Sequence, residues 1–266
     1  MIFDLFRNTA KFDSVNTFCM FIGYPRSGHT LYGALLDAHK NCVISHELNV
    51  LQLMKKGRSK KNIYQAILQN SIITASGGRK NEGYAYRVEG QWQGKFEKIL
   101  VIGDKQGGRS SRMLAEEPDL LDSLQKRITP KIKLLHVYRN PFDNLSSRSK
   151  GGKLQKKDAG FETLKSDMEK HFVQATINDK IRKEGRFEVL DIKHEDFIAD
   201  PKTGLKNICR FLELEASNDY LEACSNIVFQ KPHKTRHDIK WTEDLIKEVE
   251  NRIAIYDFLK DYTFND

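Results

Sequence analysis

The residues best suited to chemistry stand in the stretch FIGYPRSGHTLYGALLDAH, residues 21–39. A buried apolar run there passes through a turn holding Gly23, Pro25, Arg26, Ser27, Gly28 and Thr30, and enters a helical pattern. Glycines let the backbone turn sharply and approach an anion, and the start of the following helix offers unpaired N–H groups and a partial positive charge. Ser27 and Thr30 add hydroxyl donors. The pattern nearly spells the triphosphate loop G-x-x-x-x-G-K-[ST], but His29 stands at the lysine position and Arg26 has entered the loop. With no hhhD magnesium-binding strand either, ATP hydrolysis and kinase chemistry are disfavoured.

The elements that must position such a loop follow from the apolar pattern. Strand-length runs recur at 17–23, 42–45, 98–103, 132–138 and 187–192, rich in Val, Ile and Leu and without polar alternation. Such strands are buried on both faces, as in a parallel sheet. Helical periodicity fills 30–39, 60–74, 117–127, 160–183, 202–213, 217–226 and 242–260. The alternation predicts an α/β fold with three layers, α/β/α, around a central parallel sheet, and one domain over 1–266. Residues 83–96 read as a hairpin or cap, and 149–160 as a mobile surface loop.

Ligands of open parallel sheets bind outside the carboxyl ends of the strands. After the second strand come His46 and Glu47; after the third, Asp104 and Lys105; after the fourth, Arg139 and Ser147. Four strands thus deliver cations, hydroxyls and a carboxylate to one edge, which makes a site.

The 266 residues, 39% hydrophobic and 30% charged, describe a folded globular chain with a net charge of +8. That charge suits anionic partners, but no basic stripe interleaved with aromatics and no nucleic-acid motif is present. Cys19, Cys42, Cys209 and Cys224 are scattered, without a C-x-x-C pair or a signal peptide ahead of them. They read as buried thiols of a reducing compartment, and the chain as cytoplasmic, without a transmembrane segment.

Three ordered motifs resemble those of sulfotransferases that use 3′-phosphoadenosine 5′-phosphosulfate (PAPS). YPRSGHTL is similar to their 5′-phosphosulfate loop, P-[KR]-S-G-T-T-[WL], with His29 replacing the first threonine. VYRNPFDNLSSR is similar to their 3′-phosphate motif, in which an arginine and a serine eight residues later grip that phosphate; Arg139 and Ser147 have this spacing. IKHEDFIADPKTGLKNICRFLELE, residues 192–215, resembles the family's Y-E-D-L-x-x-D-P segment.

The resemblance implies a P-loop-like sulfotransferase fold and in-line sulfuryl transfer from PAPS to an acceptor hydroxyl, without a metal. Arg26, Ser27, Gly28, His29 and Thr30 would hold the phosphosulfate, with Arg26 stabilising charge as the sulfuryl group leaves. Lys105 would reach the transferred group; its alternative is a salt bridge to Asp104. The tyrosylprotein branch of the family, whose local pattern this chain resembles around residues 25–49, uses a glutamate soon after the second strand, which implies Glu47 as general base. Partial burial is expected to raise its pKa. Capping the next helix is the alternative role for Glu47, and His46 is the second candidate for the base. In the family a late basic loop often closes on the 3′-phosphate and adenine, and KPHKTRHDIKW (231–241) offers Lys234, Thr235, Arg236 and Lys240. Tyr86, Arg87 and Trp92 would form an adenine or acceptor wall, or pack as core. The acceptor is a carbohydrate, glycolipid, natural-product alcohol or tyrosine. The competing readings are a P-loop kinase and a noncatalytic sulfonucleotide-binding protein.

Overall fold

The computed structural model describes residues 10–78, 80–81, 84–151 and 160–266. Among them, strands β1 (Thr17–Gly23), β2 (Cys42–His46), β5 (Val101–Lys105), β6 (Lys131–Tyr138) and β7 (Glu188–Lys193) form one sheet in the order β2-β5-β1-β6-β7. All pairings are parallel. The chain leaves β1 toward β2 and β5, then returns across it to β6 and β7, so the order reverses beside the carboxyl end of β1. That is where a crevice opens in such sheets.

Alternation along the strands sorts side chains to two faces. Phe18, Met20 and Ile22 of β1 enter one hydrophobic cluster, with helices α2 (Val50–Lys55), α3 (Lys60–Ser76), α4 (Gly108–Glu116), α5 (Leu120–Arg127) and the end of α7 (Phe161–Glu184). Cys19 and Phe21 enter the opposite cluster, with α1 (His29–Asp37), α8 (His194–Ala199), α9 (Pro201–Phe211) and α10 (Asn218–Ser225). A third cluster joins α6 (Pro141–Ser149), the start of α7 and α11 (Glu243–Ile253). Helices thus cover both faces of the sheet, which is the expected α/β/α arrangement. The four cysteines are all buried and unpaired. No helix among the described residues is long and apolar enough to cross a membrane.

Several boundaries differ from the sequence expectation. The third long strand runs Val101–Lys105, not 98–103, so Asp104 and Lys105 belong to the strand itself and each is 2% exposed. Charge at these two positions hid their strand character. Helix α4 lies outside the expected helices because its Gly-Gly start and its buried Ser110 and Ser111, flanked by arginines, break the apolar period. Helix α11 ends at Ile253, short of residue 260. A short antiparallel pair, β3 (Lys80–Asn81) with β4 (Tyr84–Ala85), begins before the expected 83–96 hairpin, and residues 86–96 hold no strand. Most of the loop expected at 149–160 lies outside the described residues.

Candidate active site

The turn between β1 and α1 is built by its glycines. Gly23 has φ 140°, and a Cβ there would lie 2.3 Å from the Val137 carbonyl oxygen. Gly28 has φ 87° and heads α1 without a side-chain cap, while a Cβ on it would lie 2.7 Å from the His194 ring. The first amides of α1 therefore keep the donor character of an uncapped helix start. Between these glycines Arg26 adopts a left-handed backbone, φ 71°, and its exposed side chain donates from Nε to Ser147 Oγ at 3.2 Å.

The other loop residues divide sharply. Thr30 faces the crevice. Ser27 is buried and accepts a hydrogen bond from Asn144 Nδ2 at 2.7 Å, so its hydroxyl ties the loop to α6 and does not line the cavity. His29 is buried with Nε2 at 3.3 Å from the Ile22 carbonyl. Burial pushes its pKa down to about 3, so the ring is neutral. It packs beneath Gly107, where a Cβ would come within 2.7 Å of it. The residue at the P-loop lysine position is thus a spacer between two loops, and the ammonium arrives from another strand.

That ammonium is Lys105. Its stem crosses α1 at Gly33, where a Cβ would lie 2.8 Å from Lys105 Cγ. Nζ then donates to Glu47 Oε1 at 2.9 Å and to Thr30 Oγ1 at 3.2 Å. The ion-pair alternative for this lysine is therefore realised with Glu47, not with Asp104. Glu47 also has a left-handed backbone, φ 54°, and its side chain is 54% exposed to the crevice. Burial pushes its carboxyl pKa up, but the charge and hydrogen bond of Lys105 outweigh this and hold it below the ordinary value. The expected upward shift is reversed because a near-buried cation sits within bonding distance. Glu47 does not cap the next helix; Asn49 does, accepting from the Gln52 amide. His46 is half-buried, its amide bonds Asn70 Oδ1 at 2.6 Å, and its side chain does not line the cavity.

On the other side of β1, Arg139 follows the last residue of β6. Its Nη1 donates to the Arg26 carbonyl at 3.2 Å and its Nη2 to Thr235 Oγ1 at 3.0 Å. Thr235 in turn donates to the Asp143 carbonyl at 2.6 Å. Arg236 faces away from the cavity: buried with Asp143, it donates from Nε at 3.0 Å and from Nη2 at 2.8 Å to the two carboxylate oxygens. Its Nη1 also reaches the carbonyls of Thr263 and Phe264. Lys234 bonds the Asp266 carbonyl. Of the late basic loop, Lys231, Pro232, His233, Thr235 and Asp238 line the cavity, while Arg236 holds the loop in place and Lys234 and Lys240 lie outside the lining.

These residues enclose one cavity of about 720 Å³ over the carboxyl edge of the sheet. It brings together Arg26, Gly28, His29, Thr30, Glu47 and Lys105 with Arg139, Ser147 and Thr235. Sequence reasoning missed part of its wall. Phe229, 43% exposed, joins Leu31, Tyr86 and Ile198 as apolar lining, whereas Arg87 and Trp92 are not part of it. His194 sits against Gly28 with Nδ1 at 3.0 Å from the Tyr32 hydroxyl. Burial, together with Arg139 and His29, drives its pKa down to about 3. His194 was legible only as part of the KHEDF motif, and Phe229 carried no signal at all.

The sulfotransferase family model matches residues 20–218. The chain belongs to the sulfotransferase family. Its fold is similar to the sulfotransferase domain of the Synechococcus PCC 7002 olefin synthase, at 18% identity and TM-score 0.51, covering 87% of this chain and 83% of that one. It is similar also to sulfotransferase STF9 of Mycobacterium avium, at 12% identity and TM-score 0.53 over 95% and 79% of the two chains. A third is mouse sulfotransferase SULT7A1 complexed with PAP, at 12% identity and TM-score 0.50 over 92% and 87%. No curated protein matches the sequence.

Two outcomes follow from this geometry. Removing one partner of a buried ion pair strands the other, so Asp143→Ala should cost about 3–5 kcal/mol in urea unfolding. The Glu47–Lys105 pair has a depressed carboxyl pKa, so it is complete above the ordinary carboxylate range and breaks only as pH falls through the lower folded value. A carbon-13 titration should therefore find the Glu47 carboxyl below 4.5, and higher in Lys105→Met than in the wild type.

Proposed function

We propose, from membership of the sulfotransferase family as the premise, that the chain transfers a sulfuryl group from PAPS to an acceptor hydroxyl. One observation carries the reading. Arg26 bonds Ser147 while Arg139 bonds the Arg26 carbonyl, so the two phosphate motifs meet across a single cavity. A donor bearing both a 5′-phosphosulfate and a 3′-phosphate fits such a pair of cationic sites; ATP lacks the second group. PAPS, when bound, supplies an activated sulfuryl group and a phosphate leaving group.

The chain's own residues have separable tasks. Arg26, the amides at the start of α1 and Thr30 bind the phosphosulfate, and Arg26 neutralises charge developing on the leaving oxygen. Arg139, with Ser147 and Thr235 beside it, takes the 3′-phosphate; a guanidinium can hold it bidentately. Phe229, Tyr86, Leu31 and Ile198 supply apolar surface for the adenine. Glu47 accepts the acceptor's proton as the new oxygen–sulfur bond forms. In the free protein Lys105 keeps Glu47 ionised but weakly basic. Lys105 would also hold the sulfuryl oxygens of bound PAPS, and a carboxylate that shares its ammonium in this way would gain basicity.

The local likeness to the tyrosylprotein branch supports Glu47 over His46, whose side chain does not line the cavity. Acceptors within this reading are carbohydrates, glycolipids, natural-product alcohols and tyrosine. The four unpaired buried cysteines support a reducing, cytoplasmic setting.

Radiolabelled PAPS offered with a panel of these acceptors, without added metal, tests the reading. Label should pass to at least one hydroxyl, and Glu47→Gln should lower kcat by about 10²–10⁴-fold while PAP still binds. Wild-type turnover in Glu47→Gln would contradict the assignment of the base.

A further inference from the structure

The turn that carries Glu47 is held in a conformation it would not choose alone. Glu47 and Asn49 both have left-handed backbones, φ 54° and 62°. Residues other than glycine adopt that region at a cost, and keep it only where the surroundings over-determine it. Here the surroundings are largely one carboxylate. Asp104, 2% exposed on β5, accepts from the Leu48 amide at 3.1 Å and the Ser45 hydroxyl at 2.8 Å through Oδ1, and from the Val50 amide at 3.0 Å through Oδ2. The same strand supplies a fourth tie, since the Glu47 amide donates to the Lys105 carbonyl at 3.0 Å.

Adjacent strand residues point to opposite faces. Lys105 lies against α1 and lines the cavity; Asp104 meets the first residue of α2 and does not line it. From these two positions β5 grips the turn twice, by its backbone through Asp104 and by its carboxylate through Lys105.

We infer that Asp104 is a positioning residue for sulfuryl transfer, which clamps the 45–50 turn so that the Glu47 carboxylate stays on Lys105 and faces the acceptor. This rests on Glu47 being the base. A carboxylate is suited to the task because both its oxygens accept, and three donors of the turn converge on it, opposing the rise in pKa that burial brings. An asparagine of the same size would set an N–H group against one of those donors.

Asp104→Asn is the direct test, with Ser45→Ala as a milder variant that removes one of the three donors. Hydrogen exchange resolved to residues 45–50 should quicken about tenfold or more in Asp104→Asn, while β1 and β6 stay protected. In the same variant the Glu47 carboxyl should titrate above its wild-type position, because it no longer rests on Lys105. PAP affinity should stay within about threefold. In turnover the loss should fall on kcat, by about 10–100-fold, and leave the KM for PAPS unmoved. Unchanged protection and titration in the turn would overturn the inference. So would loss of protection across the whole sheet, which would make Asp104 a general core residue. If the wild type fails to bind PAP, the donor reading falls, while the exchange and titration results still decide the clamp.

Discussion

A lysine ammonium that is almost wholly buried must find a counter-charge and hydrogen-bond acceptors, because stripping its water costs several kcal/mol. Lys105 is that group, and much of the crevice is arranged to satisfy it. Gly33 interrupts α1 with an absent side chain so that the lysine stem can pass. Thr30 and Glu47 then accept its hydrogen bonds. Glu47 reaches it only from a left-handed backbone. The arrangement leaves a cation beside the anion cradle at the end of β1, held in reserve by a carboxylate that is itself half exposed.

The opposite side of the crevice follows a second buried pair. Asp143 and Arg236 hold each other where neither meets solvent. Their effect reaches the site by backbone: the loop around Thr235 is drawn onto α6, and Thr235 accepts from Arg139. The guanidinium that would take a 3′-phosphate is thereby directed before any ligand arrives, which lowers the ordering cost of binding. Arg139 also grips the Arg26 carbonyl. The two halves of the crevice are consequently coupled through one short loop.

Much of this was legible from residue types and order. Unbroken apolar runs revealed a parallel sheet, and its carboxyl edge located Arg26, Glu47 and Arg139 in the turns after their strands and Lys105 at the end of its own. What stayed hidden was set by tertiary contact. The partner of Lys105 depends on which turn is folded beside β5, 58 positions away from it in sequence, and local pattern carries nothing about that. Arg236 and Thr235 are neighbours in a basic run, yet one points into the core and the other into the cavity. The position of His29 in the loop is plain in the sequence, but not that its ring is buried and neutral. Phe229 gained meaning only when the fold brought it beside Tyr86 and Ile198.

The loops of Arg26 and Arg139 meet at one cavity, an arrangement suited to a 3′-phosphorylated nucleotide under the proposed function. Calorimetric titration with PAP, AMP and ATP in the absence of metal tests it most directly. PAP should bind about 10–100-fold more tightly than AMP, as expected for charge-assisted hydrogen bonds to one added phosphate, and Arg139→Ala should abolish the difference. Equal affinity for PAP and AMP would contradict it.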